Sequence, residues 1–378
     1  MASSTRWLLI FALLYLVSTP AFAQQQGSAA IITGSVVDGE TGAPLPGAHV
    51  FIAVSMIGTT TDNDGRYRLE NVPLGANRLY VSMLGFEPSF LDLNLRESRV
   101  YPHDFKLVPA ILEAGEIVVE AKGDKNWKKR LEKFTRLFIG ESPNSFQAKI
   151  LNPEVLDFQE KLGKLSATAS DIMIIENNAL GYRIQYFLKD FSADSGRTRY
   201  DGEPLFEPMT PDSPEQAQLW EENRRKAFMG SFRHFMLALL ADRTKGQGFL
   251  VFSRPSISLS NAGDTFGGGG ALKGSQRYPL DPAEMLKPGE IPTEKIMDFN
   301  GFVEIVYQGE KEDEAYLSWQ KTGHIGKPKY QTSWINLENG PTTVDYKGDI
   351  VDPYGVTFYG YLAFERVADE LPKEYRPN

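Results

Sequence analysis

The sequence predicts a mainly β chain in which an N-terminal β-sandwich precedes a strand-rich α+β domain with one long helix. Three observations carry that prediction. Turn residues recur about every eight to twelve positions between residues 31 and 107, the spacing of an all-β sandwich. A Ser-Pro pair at Ser213 and Pro214 opens a long segment with an apolar stripe, as a capped helix does. After residue 301 short alternating segments return, separated by turns such as Asn339-Gly340. The 378 residues suffice for two ordinary cores.

The first residues read as a targeting segment. Arg6 supplies a positive start, residues 7–17 form an apolar run shorter than a membrane span, and Ala21-Phe22-Ala23 is a small-residue cleavage site. Residues 1–23 are therefore expected to be a signal peptide and residues 24–30 a Gln-rich, disordered junction. The expected destination is the periplasm or the outer membrane. The chain has no cysteine, so neither disulfides nor a lipidated cysteine contribute. No later run has the apolar length of a membrane helix. The formal charge of −9 repels phosphate backbones, so nucleic acid is not an expected partner.

Within residues 31–121, strands are expected at 31–38, 48–54, 66–69, 78–83, 90–95 and 100–107, with a last one at 117–121. Asp62-Asn63-Asp64-Gly65 is a hairpin turn, because Gly65 accepts the positive φ that the turn needs. It fails as a calcium loop. With Gly65 in sixth place, Thr60 stands first and Asn71 twelfth, where Asp and a bidentate Glu are required.

The order of these pieces resembles the carboxypeptidase regulatory-like domain. G-x-V-x-D (Gly34, Val36, Asp38) is followed by T-G-x-P-L-x-G-A-x-V, from Thr41 to Val50. T-D-x-D-G-x-Y (Asp62, Asp64, Gly65, Tyr67), V-P-x-G (Pro73, Gly75) and V-S-x-x-G-F (Gly85) complete the series. The resemblance implies a seven-stranded, transthyretin-like or Ig-like sandwich without catalytic residues, found beside metallocarboxypeptidase domains or in front of outer-membrane receptors of the Bacteroidota.

Residues 122–378 form the expected α+β domain. A helix over 126–139 carries Trp127, Leu131, Phe134, Leu137 and Phe138 on one side and basic residues on the other, with Asp124 as its cap. A strand over 180–191 precedes the long helix, expected from Ser213 to about Arg243. Residues 260–292 read as loop, and strands are expected at 249–252, 301–307, 315–320, 332–337, 343–347 and 356–365. Words such as W-K-K-R at 127–130, I-L-N-P-E-V-L-x-F at 150–158 and the ending at 365–375 resemble uncharacterised exported Bacteroidota proteins, a likeness that brings no activity with it.

The chemistry-bearing residues are sparse. His49, His103, His234 and His324 are the only histidines, and none begins an H-E-x-x-H or H-x-x-E element, so no metallopeptidase ligand set is present. There is no G-x-S-x-G elbow and no P-loop. Ser318-Trp319-Gln320-Lys321 matches S-x-x-K but falls in an expected strand, where i and i+3 face opposite ways. The Gly267–270 run reads as flexible loop. No cofactor is implied. The one polar cluster with promise lies on the long helix, where Trp220, Arg224, Arg225, Arg233 and His234 surround an aromatic stripe that could clamp a carboxylate. The resulting expectation is an exported, non-enzymatic envelope protein that binds or scaffolds a protein, peptide or glycan. The alternatives are a hydrolase using paired acids in the second domain and an accessory of a nutrient-uptake receptor.

Overall fold

The computed structural model describes residues 29–110, 125–194, 197–255, 276–290, 294–320, 329–352 and 354–377. The expected signal peptide, the strand at 117–121, the Asp124 cap, most of the loop at 260–292 and Lys321 lie outside the described residues.

The sandwich begins at Ala29–Asp38, inside the stretch expected as junction. This strand pairs antiparallel with Arg66–Pro73 and parallel with Val100–Pro102 and Phe105–Leu107. The last two are one strand interrupted where Asp104 turns its carboxylate to the Ser35 amide and hydroxyl, at 2.7 and 2.8 Å. Only glycine fits beside the interruption. A Cβ on Gly34 would lie 1.7 Å from the His103 carbonyl oxygen. The second sheet runs Gly58–Thr60, His49–Ile52, Gly75–Ser82, Ser89–Leu95. Ile32, Val36, Val50, Leu69, Leu79, Val81 and Phe105 fill the space between the sheets. The Asp62 carboxylate accepts the amides of Asp64 and Arg66 within its own turn, at 2.9 and 2.8 Å.

In the second half, Tyr182–Ala193 and Thr198–Pro208 form a long hairpin at the heart of a six-stranded sheet. Helix Lys125–Phe138 lays Trp127, Phe134 and Phe138 on that sheet, against Phe158, Tyr186 and Phe191. A five-stranded sheet, built around Phe249–Arg254, Phe302–Lys311 and Tyr330–Asn336, packs on Phe235, Met236 and Leu239. A three-stranded sheet joins Leu286–Pro288, Glu294–Met297 and Thr342–Asp345. The chain then returns to the core between helix Lys125–Phe138 and the six-stranded sheet, where Val367, Ala368, Leu371 and Tyr375 pack.

Three sequence expectations need correction. The long helix is two helices, Pro214–Phe228 and Phe232–Leu240. Gly230 breaks it at φ 85°, and Ser231 caps the second by accepting the His234 amide at 3.2 Å. The strand expected at 315–320 is helix Glu314–Trp319, capped by Asp313 accepting the Tyr316 amide at 2.7 Å. Its local capping outweighs the alternation. The strand expected at 356–365 stops at Gly360 and continues as helix Tyr361–Phe364.

Candidate functional site

The sandwich and the second half meet across the outer face of the second sheet. Phe51 and Tyr80 point away from the sandwich core and pack on Phe187 and Leu205 of the long hairpin. Phe51 and Phe187 stack with centroids 4.6 Å apart. Backbone bonds continue the seam. Val54 donates to the Pro204 carbonyl at 2.9 Å and accepts from the Lys373 amide at 2.9 Å. Val54 does so with φ 57°, a strained conformation for a β-branched residue.

Beside this packed seam the same outer face opens into a cavity of about 330 Å³, walled by both halves. The sandwich contributes Arg78 and Asp92 from paired positions of neighbouring strands. The second half contributes Asp201 and Glu203 from the hairpin, Glu294 and Asp345 from the three-stranded sheet, then Asp349 and Lys373. Six carboxylates thus face two cations. Arg78 is gripped by Asp92 through Nε at 2.9 Å and Nη2 at 3.2 Å, and its Nη1 lies 3.4 Å from Glu203. Lys373 pairs with Asp349 at 2.8 Å. Lys189 pairs with Asp201 at 2.9 Å.

Desolvation governs the charges here. Burial pushes the Asp345 carboxyl up to about 6, and neighbouring Asp349 adds to the shift. Burial also raises Glu203, outweighing the attraction of Arg78. Lys347 is driven down to about 8 by burial and by Lys373, and its ammonium donates to Asn77 Oδ1 of the sandwich at 2.7 Å. Asp345 gives one oxygen to the amides of Lys347 and Asp349, at 2.8 and 2.9 Å. Its other oxygen has no hydrogen-bond partner among the described residues, and the residue is 8% exposed. No group of three or more His, Asp or Glu among the described residues is placed to hold a metal ion.

The five residues singled out from sequence fall elsewhere, with one exception. Trp220 is buried, donates to the Asn178 carbonyl at 2.7 Å and covers Gly181, where a Cβ would lie 2.3 Å from its ring. Arg224 donates to the Leu180 carbonyl at 2.7 Å and lies over the Tyr182 ring at 4.4 Å. Arg225 is exposed. His234 is buried among Phe228, Phe249 and Tyr307. Its Nδ1 accepts the Gly230 amide at 3.1 Å, so Nε2 carries the proton toward Gln247 Oε1, the neutral tautomer that burial favours. Arg233 alone touches the cleft, from behind. Its guanidinium binds the carbonyls of Pro372, at 2.8 Å, and of Lys373, and so fixes the segment that carries the Lys373 ammonium. Burial brings Arg233 down to about 10.

The cleft residues escaped the sequence reading because each looks ordinary in its own segment. Arg78 alternates with apolar neighbours in a strand, and Asp345, Lys347 and Asp349 share a short turn. The nearest local signal is the D-Y-K-G-D spacing at 345–349.

Residues 32–119 match the family of the CarboxypepD_reg-like domain. The sandwich is thus a carboxypeptidase regulatory-like domain of Ig-like fold. No curated protein matches the chain. Among solved structures, the chain is similar to a cohesin–X-dockerin complex from Acetivibrio cellulolyticus at 15% identity. That match covers 21% of this chain and 56% of that one, with TM-score 0.18. It is also similar to a putative carbohydrate binding protein from Bacteroides uniformis, at 15% identity over 43% of this chain and 61% of that one, with TM-score 0.19. A putative membrane-associated protein of unknown function from Bacteroides fragilis matches at 16% identity, over 42% and 64%, with TM-score 0.18. The chain spans less than two thirds of the length of each of these. No helix among the described residues is long and apolar enough to cross a membrane.

Proposed function

We propose that this is an exported, non-enzymatic envelope protein whose regulatory-like domain and second half together bind a partner at the cleft between them. The observation that carries the reading is that the cleft walls come from both halves and are pre-organised by ion pairs spanning the junction, such as Arg78 with Glu203. A site so built has its charges oriented before a ligand arrives. The residues with reactive potential are already engaged, Lys373 by Asp349 and Arg78 by Asp92.

A second reading, hydrolysis by paired acids, draws on Asp345, whose raised carboxyl stands near Asp349. It requires Asp345 to meet a substrate rather than a binding partner.

The absence of cysteine supplies a clean test. Single cysteines at Phe90 or Glu294, carrying a photo-crosslinker, are expected to capture the same partner in intact cells. A cysteine at Leu162, fully exposed on a hairpin tip elsewhere, is expected to capture none of it. Equal capture at all three positions sinks the binding site. Turnover of a model peptide or glycoside by the purified chain, lost in Asp345→Asn, replaces this reading by the hydrolase.

A further inference from the structure

The turn at residues 345–349 docks on the sandwich. The Tyr346 hydroxyl donates to the Leu74 carbonyl at 2.6 Å, and its ring fills the space over Gly75, where a Cβ would lie 2.5 Å away. Asp345 shapes the turn from within by accepting the amides of Lys347 and Asp349. Lys347 is thereby aimed at Asn77, and its Nζ meets Asn77 Oδ1 at 2.7 Å. Asn77 is fixed as well. Its Nδ2 donates to the carbonyls of Pro73 and Gly75, at 2.8 and 2.9 Å, which leaves Oδ1 as the atom turned to Lys347.

A plain hydrogen bond accounts poorly for this pair. Asn77 is 5% exposed and Lys347 8%. An ammonium carries three N–H donors, and among the described residues Asn77 Oδ1 is the only hydrogen-bond acceptor of Nζ. The Tyr346 ring lies 5.5 Å from it. A buried ammonium so thinly partnered is costly, and burial drives Lys347 down to about 8, toward the neutral amine. A desolvated amine beside another cation, here Lys373, is an activated nucleophile. Its nearest polar neighbour is an amide. With a carbonyl bond of about 1.2 Å, Asn77 Cγ lies within about 4 Å of Nζ.

We propose that Lys347 and Asn77 react to form an intramolecular isopeptide bond, a covalent tie between the second half and the sandwich. Asp345, raised to about 6 by burial, accepts one proton from the Lys347 ammonium. The neutral amine attacks Cγ, so that an Nζ–Cγ bond forms and the Cγ–Nδ2 bond breaks. Nδ2 departs as ammonia with a second proton from Nζ and takes up the proton held by Asp345. Nothing is oxidised or reduced. The cavity that Asn77 and Asp345 line gives the ammonia its exit. The docked turn holds amine and amide together, which supplies the rate that the free groups lack. A neutral amide replaces a buried charge, and a chain without cysteine gains a permanent link across its seam. The bond is independent of what the cleft binds.

The test is mass spectrometry of the full chain after denaturation. Trypsin is expected to release one branched product that joins residues 69–78 to residues 330–366, with cleavage after Lys347 blocked. Its mass is expected to fall short of the two peptides together by one ammonia. Compared with intact Lys347→Met, the intact parent is expected to lack one ammonia beyond the mass of the substitution. Asp345→Asn is expected to accumulate the branched product at least about tenfold more slowly after synthesis, with the circular dichroism spectrum of the fold unchanged. In the parent, separate peptides at their sequence masses, cleaved after Lys347, overturn the proposal. Formation at an equal rate in Asp345→Asn overturns the role of Asp345 in it.

Discussion

Phe187 is the sharpest point at which to test whether the sandwich and the second half behave as one body. It is 6% exposed, stacks on Phe51 at 4.6 Å, and meets Tyr80 and His49 at 5.9 and 5.8 Å. Replacing it by Ala removes a ring that buries about 150–250 Å², worth about 4–6 kcal/mol as an upper bound on transfer alone. The aromatic cluster at the seam is small, so its neighbours collapse partly into the space. The loss is therefore expected near the lower end of the usual Phe→Ala range, about 3 kcal/mol. That is roughly a hundredfold in the equilibrium that holds the seam closed. The assay follows from where the tryptophans stand. Trp127, Trp220, Trp319 and Trp334 all lie in the second half, and residues 29–110 contain none. Tryptophan fluorescence therefore reports the second half, while far-ultraviolet circular dichroism reports both. In the parent chain the two denaturation curves are expected to coincide. In Phe187→Ala they are expected to separate, with a phase silent in tryptophan fluorescence. Coincident curves with a loss below about 1 kcal/mol would refute the argument that this packing joins the halves.

Two further outcomes test the charges. Asp345 and Asp369 are raised from 3.8 to about 6, and Glu370 from 4.5 to about 7, each chiefly by burial. A carboxyl whose folded pKa is raised stabilises the fold fully below its unfolded value and loses that contribution as pH rises through the folded one. Half-buried His49 and buried His234 act with the opposite sign over the same window, because desolvation depresses their folded values. The clean measurement is therefore a difference. Asp345→Asn is expected to lose less stability than the parent between pH 5 and pH 7.5 in urea denaturation, and an equal or larger loss contradicts the assignment. Glu304, only 2% exposed, accepts from Arg254 at 2.7 Å, Arg277 at 2.9 Å and the Trp334 indole at 3.1 Å. Glu304→Gln removes the carboxylate charge that both guanidiniums meet and is expected to cost about 3 kcal/mol in equilibrium unfolding. A change below about 1 kcal/mol would show that solvent already screens that pair.

What the sequence alone determined is the part of the molecule written in short words. The turn at Asp62–Gly65, the amphipathic helix Lys125–Phe138 and the Ser213 cap, which accepts the Gln216 amide at 3.2 Å, each depend on residues within a few positions of one another. The order of turns and strands likewise marked out the regulatory-like sandwich. The break at Gly230 was written there too, as a glycine followed by a capping serine, yet the apolar stripe running through it masked the signal. Only the tertiary structure decided the cleft. Lys347 and Asn77 stand 270 positions apart and meet at 2.7 Å, and Arg78 reaches Glu203 across 125 positions. No local propensity encodes such meetings. They exist because burying Phe51 and Tyr80 against Phe187 and Leu205 presses two charged surfaces together, and desolvation there turns ordinary surface acids into perturbed ones.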